Sequence, residues 1–127
     1  MILCDTNILI EFFKNNTQIV LELRQIGQNS IGISHITQAE LYFGALNKSE
    51  LKKIKRHFLL LCQFPVDLSI SKRFLQLMEE YSLSHKLSIP DALIAATAME
   101  HMLELYTLNT KDFQFIPDLM LYHPQNY

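Results

Sequence analysis

Residues 1–13, MILCDTNILIEFF, pose the question that decides the fold. Ile2, Leu3 and Cys4 make a short apolar run of the kind a buried strand uses, and Asp5 ends it. Thr6 and Asn7 follow, then Ile8, Leu9 and Ile10, where a helix is expected to start. An aspartate at this hand-over has two readings. It is a helix cap, satisfying free amides of the first turn. Or it is a functional acid, because sites in open α/β sheets form beyond the carboxyl ends of strands. Asp5 alone does not choose between them.

Outward from Asp5, short apolar runs alternate with helical periodicities. Strands are expected around 31–33 in NSIGIS, around 66–68 in FPVDL, within LELYTL and, last, within LMLYH. Helical patterns cover 17–26 and 37–46. Leu51, Ile54, Phe58 and Leu61 stripe a further helix, and Phe74, Leu77, Met78 and Tyr81 another. After Pro90, DALIAATAMEHM is rich in good helix formers. Strands alternating with helices predict an α/β fold, a parallel sheet covered on both faces.

Composition agrees. The chain has 127 residues, 49% hydrophobic and 19% charged, which fits a single domain over 1–127 that buries about two-thirds of its unfolded surface. No apolar run reaches the roughly 18 residues that would cross a bilayer, and the start lacks a basic leader region. Cys4 falls in an expected strand and Cys62 in an expected helix, without zinc or disulfide spacing, so a reducing, cytoplasmic setting is expected. The five histidines show no metal-binding spacing. A net charge of −2 does not advertise nucleic-acid binding, although an acidic cluster can mask a basic rim in the total.

Three further acidic positions resemble Asp5 in setting. Glu40, in SHITQAELYFGA, lies in the first turns of the helix after the strand at 31–33. Asp91, in LSIPDALIAATA, opens the alanine-rich helix, where first-turn capping alone would account for it. Asn109 and Asp112, in LYTLNTKDFQFI, stand just past a strand end with Thr107. Each follows a strand or opens a helix, and right-handed crossovers bring such positions to one edge of the sheet. Carboxylates crowded there raise one another's pKa unless a cation neutralises them. Oxygen ligands without Cys or His favour Mg²⁺ or Mn²⁺, and such a site suits hydrolysis of a phosphodiester.

LCDTNILIEFF, ISHITQAELYFGA, IPDALIAATAME and LYTLNTKDFQFI, in that order and spacing, resemble the PIN domain, and closely the VapC-type toxins of bacterial toxin–antitoxin pairs. The resemblance covers essentially the whole chain. It implies a PIN-like α/β/α sandwich with a central parallel sheet flanked by helices. It further implies a Mg²⁺- or Mn²⁺-dependent endoribonuclease restrained by a cognate antitoxin, with a homodimer expected. Asp5, Glu40 and Asp91 correspond to the family's first three acids, and Asp5 and Asp91 are the expected metal contacts. Thr6, Asn7 and Thr107 look like donors that orient the carboxylates. Many members carry an aspartate where this chain has Asn109. Asp112 then supplies the nearest charge at the fourth corner, with Asn109 contributing its amide, or Asp112 only caps the short helix around Phe113. The departure at Asn109 keeps alternatives open: a PIN-like RNA- or protein-binding module with weak or no catalysis, or a nuclease of RNA maturation. No base-reading motif is visible, so selectivity is expected from backbone shape and loop contacts.

Two surface readings complete the sequence. Lys52, Lys55 and Arg56, with Lys53 adjacent, form either a solvated helix face or a track for RNA phosphates. Tyr42 and Phe43 are expected in the core, or one of them lines an antitoxin groove. The apolar IVLEL and FLLLC are rich enough in leucine for helices with two buried faces, part of them a homodimer or antitoxin contact.

Overall fold

The computed structural model describes residues 1–125. Four parallel strands form one sheet: β1 (Ile2–Cys4), β2 (Ile31–Ser34), β3 (Cys62–Phe64) and β4 (Glu104–Tyr106), in the order β3-β2-β1-β4. β1 is therefore central, with Leu3 opposite both Gly32 and Leu105. Between the strands run α1 (Thr6–Phe13), α2 (Thr17–Ile26), α3 (His35–Phe43), α4 (Lys48–Phe58), α5 (Leu68–His85) and α6 (Ile89–Glu100). The expected parallel α/β sandwich is the observed fold.

Alternation along β1 and β4 divides the core into two layers. Leu3 and Leu105 face α5 and α6, packing with Ile70, Leu77, Ile94 and Phe113. Cys4 and Tyr106 face the other way, with Ile8, Leu23, Leu41 and Phe58 from the first four helices. Ala92, Ala95, Ala96 and Ala98 are fully buried in α6, so its backbone lies close to the sheet and to α5.

Helix starts follow a common local rule, with one exception. Asn16, Ser34, Asn47, Asp67 and Ser88 each accept from the backbone N–H three residues on, as an N-cap does. Asp5, before α1, instead accepts from the adjacent Thr6 N–H at 2.7 Å.

Several expectations shift. The strand expected at 66–68 is a loop leading into α5, because Asp67 caps that helix through Ile70 N–H at 2.9 Å. The strand itself is β3, four residues earlier, so Cys62 stands exposed in a strand and not in a helix. α4 ends at Phe58, and FLLLC supplies its last residue, a turn and the start of β3. α3 begins at His35, two residues before its expected start, because Ser34 caps it. The last expected strand shrinks to a bridge between Leu105 and Leu121, the six residues between Pro117 and Pro124 leaving little room for a ladder. Tyr42 packs against Phe58 at the edge of the core, whereas Phe43 is 94% exposed. Glu22, inside apolar IVLEL, is buried. It accepts from the Tyr122 hydroxyl and from Gln125 N–H at 3.0 Å, which ties the end of the described chain to α2.

Gly32 marks a close approach within the sheet. A Cβ built there would lie 2.5 Å from Phe64 Cε2 and 3.2 Å from Cδ2, and the Phe64 ring is held against His101 at 4.6 Å. Gly32→Ala is expected to lower stability by about 1–3 kcal/mol, the usual cost of overpacking. A melting curve that matches the parent's would show that Phe64 turns aside without cost.

Candidate active site

The segments after β1, β2 and β4 open at the same edge, because the three strands are adjacent and parallel. α6 leads back to β4, so its first turn, with Asp91, reaches that edge from the opposite direction.

Asp5 lies at the centre and is 5% exposed. Its backbone N–H donates to Tyr106 O at 2.9 Å, fixing the chain where it leaves the sheet. Its carboxylate accepts from Thr6 N–H through Oδ1 and from the Thr107 hydroxyl through Oδ2 at 2.8 Å. Thr107 is itself held: it accepts from Asn7 Nδ2 at 3.4 Å and from Asn109 N–H at 3.1 Å. Asn7 Oδ1 accepts from Leu108 N–H at 3.3 Å. The turn after β4 is thereby locked to the start of α1, around one buried carboxylate.

Glu40 is oriented separately. The Thr6 hydroxyl donates to its Oε1 at 2.7 Å. The Thr6 and Thr37 hydroxyls lie 3.1 Å apart, and Ser34 Oγ stands 3.3 Å from Thr37 Oγ1. Ser34 and Thr37, both buried, are members that sequence reasoning missed. Their signal was available as a serine at the end of β2 just before a helical pattern, the place of an N-cap, with Thr37 three residues on. Ser88 was missed for the same reason; it caps α6 by accepting from Asp91 N–H at 3.2 Å.

Electrostatics show that the acids share one region. Asp5 is raised above the ordinary aspartate range, first by burial, with Glu40 and Asp112 adding repulsion and the Thr107 and Thr6 bonds opposing. Asp91 is pushed up to about 6, first by burial and next by the charge of Asp5, with Asp112 and Glu40 contributing and a Ser88 hydrogen bond opposing. Asp112 ends a 3₁₀ turn (Thr110–Asp112) that starts after Asn109, so it does not cap that turn. It lines a cleft with Asp91, Ser88 and His85. His85 stacks on Phe115 with ring centroids 4.1 Å apart and pairs with Ser84 at 2.8 Å. Asn109 is exposed, and among the described residues its backbone N–H, not its amide, makes the site contact.

The donor set fits a hard divalent ion. The carboxylates act on one another through charge, and that repulsion is what a cation relieves. Among the described residues no three acidic, His or Cys side chains stand close enough to chelate one ion as they are. Mg²⁺ does not require that, since it is held through one or two carboxylates and keeps several waters.

The comparisons agree with this architecture. The PIN domain family model matches residues 2–117. A chain of a toxin–antitoxin complex from Klebsiella pneumoniae is 34% identical, with TM-score 0.82, over 98% of this chain and 100% of that chain. FitAcB from Neisseria gonorrhoeae is 28% identical, with TM-score 0.81, over 98% of each chain. VapBC2 from Rickettsia felis, solved with a DNA fragment from their promoter, is 26% identical, with TM-score 0.78, over 96% of this chain and 98% of that chain. No curated protein matches the sequence. No helix among the described residues is long and apolar enough to cross a membrane. With a family model spanning nearly all of the described fold, the chain belongs to the PIN domain family, and within it resembles the proteins of VapBC-type toxin–antitoxin complexes.

Proposed function

We propose that the protein is a Mg²⁺- or Mn²⁺-dependent endoribonuclease, the toxin of a toxin–antitoxin pair acting in the cytoplasm. The observation that carries this reading is the electrostatic company of Asp5, Asp91, Glu40 and Asp112 at one sheet edge, where burial first, and repulsion in addition, raises both Asp5 and Asp91. Ordinary helix capping needs no such concentration of charge. Asp5 and Asp91 would hold the ion, and Glu40 and Asp112 would complete the acidic rim. The chemistry a bound divalent ion supplies is a more acidic water and shielding of the phosphoryl oxygens. The chain's own work is positional. Thr107 and Thr6 N–H hold both oxygens of the Asp5 carboxylate, so it has little freedom to turn away. The Thr6 hydroxyl holds Glu40, so one residue contacts two of the acids. The partners are RNA, a cognate antitoxin and a second copy of the chain.

Purified protein freed of antitoxin is expected to cleave RNA with Mg²⁺ or Mn²⁺ and to stop with EDTA. Cleavage that persists in EDTA, in a preparation without contaminating nuclease, would sink the metal mechanism. The fourth corner has its own test. Asp112→Ala is expected to lower the cleavage rate by about 10²-fold or less if it contributes electrostatics alone, and Asn109→Asp to retain activity. A second reading, a binding module without catalysis, draws on Asn109, which stands where many family members carry the fourth acid. RNA bound but left uncut under all these conditions would favour it.

A further inference from the structure

We propose that the cleft between α1, α3 and α4 is the path of a single RNA strand, its phosphates held by Lys53 and Arg56 and one base carried on Phe43. The proposal rests on the ribonuclease reading and adds the surface that would present substrate to the acidic edge.

The first observation is electrostatic. α4 carries Lys48, Lys52, Lys53, Lys55 and Arg56 against one acid, Glu50, in a chain of net charge −2. All five cations are exposed, and among the described residues the ion pairs are Lys14–Glu11 and Arg73–Glu100, neither on α4. A helix face that is merely solvated gains from acids four residues from its bases. None of these five has one, and the helix's single acid, Glu50, stands three residues before Lys53 without an ion pair to it among the described residues. Instead Lys48, Lys52 and Arg56 follow one another at four-residue spacing, a row of like charges that costs helix stability. A polyanion that meets this row at Arg56, its one member in the cleft, offsets part of that repulsion.

The second observation is where these cations lead. Lys53 and Arg56 line a cleft of about 800 Å³ that Glu40 also lines, with Ile10, Phe13 and Leu46 supplying apolar wall. Lys14 and Glu50 border it too. The acid that Thr6 orients toward the candidate centre and two unpaired cations of α4 therefore share one continuous depression. Lys52 and Lys55 line a different recess, with Arg56 and Leu59.

The third observation is Phe43. It lies three residues after Glu40, on the same side of α3, and its ring is 94% exposed. Phe43 does not line the cleft itself but precedes Gly44, which does. An exposed aromatic at the margin of a groove holding cations is an arrangement on which unpaired bases stack, each stack worth about 1–3 kcal/mol. A duplex hides its base faces, so this combination selects a single strand.

The test measures binding apart from cleavage. An Asp5→Asn protein, freed of antitoxin and with Mg²⁺ present, is titrated against a labelled, unstructured single-stranded RNA by fluorescence anisotropy. Adding Lys53→Ala with Arg56→Ala is expected to raise Kd about tenfold or more at low salt. The slope of log affinity against log salt is expected to shrink by about 1.4, the share of two phosphate contacts on a single strand. Phe43→Ala is expected to weaken binding without changing that slope. Lys52→Ala with Lys55→Ala removes equal charge from the same helix outside the cleft and should change Kd less than threefold. Circular dichroism checks that each variant is folded. Equal losses from the two double variants would reduce the effect to net charge and overturn the path. Unchanged RNA binding by the Lys53, Arg56 variant also overturns it, and loss of the antitoxin complex in that variant would assign the cleft to the protein partner. If parent protein binds RNA through Lys53 and Arg56 yet never cleaves it, the path stands and the nuclease reading fails.

Discussion

Asp5→Ala is expected to lower RNA cleavage by about 10³-fold or more while leaving the fold intact, a loss on the scale of removing a central electrostatic element. The reason is structural as well as chemical. Asp5 is held on both oxygens, and it stands between the segments that carry Glu40 and Asp112. Removing it leaves the Thr107 hydroxyl and Thr6 N–H without their acceptor, a destabilisation of about 1–3 kcal/mol. It also removes the buried charge whose desolvation raises the Asp5 pKa and the repulsion Asp5 exerts on Asp91, changes that act in the stabilising direction. The two nearly offset, so the melting temperature should move little while activity collapses. A variant that melts far below the parent would make Asp5 chiefly a structural residue. One that cleaves within tenfold of the parent would remove it from the chemistry.

Asp91→Asn removes a charge while the Ser88 cap of α6 stays in place. The folded-state value of Asp91, about 6, lies above its ordinary 3.8. Below about pH 4 both folded and unfolded chains carry the proton, and the group is neutral in the balance. As pH rises from about 4 to about 6 the unfolded chain ionises first, so folded stability falls; above about 6 the loss is complete. A shift of this size, discounted for the partial exposure of Asp91, corresponds to about 2 kcal/mol at neutral pH. Metal-free Asp91→Asn should therefore melt about 5–10 °C above the parent at pH 7, and the gap should close toward pH 4. Mg²⁺ should reverse the order. At a free concentration about 100 times its Kd it stabilises the parent by about 2.7 kcal/mol, and the variant less, because half of the proposed ligand pair is gone. Differential scanning at matched ionic strength reads all of these. Curves indifferent to Mg²⁺ and to the substitution would leave Asp91 as a first-turn acid and nothing more.

Much of this was legible in the sequence because it depends on local rules. The alternation of apolar runs with helical periodicity gives the parallel sheet, and the position of an acid relative to a strand end places it on the carboxyl edge whatever the details of packing. Asp5, Glu40 and Asp91 were identifiable on that ground, as were Thr6, Asn7 and Thr107 by their adjacency to it. Boundaries were less secure. FPVDL has the apolar content of a strand, yet strand pairing is a property of two segments, and β2 pairs with 62–64 once Asp67 has been drawn off to cap α5. Phe43 and Tyr42 are adjacent and similar, but a helix sends neighbours about 100° apart, so which ring is buried depends on where α4 lies against α3.

Only the tertiary structure decided what surrounds Asp5. The sequence allowed a cap or a functional acid, since both stand between a strand and a helix. Folding adds to its place before α1 the company of residues about a hundred positions away: Thr107 takes the carboxylate oxygen, and Asp91 and Asp112 bring charge near it. Contacts between such distant residues are fixed by the strand order, which puts β4 beside β1. Strand order leaves no local trace in a chain, and so the company of Asp5, unlike its place at a strand end, is written only in the folded molecule.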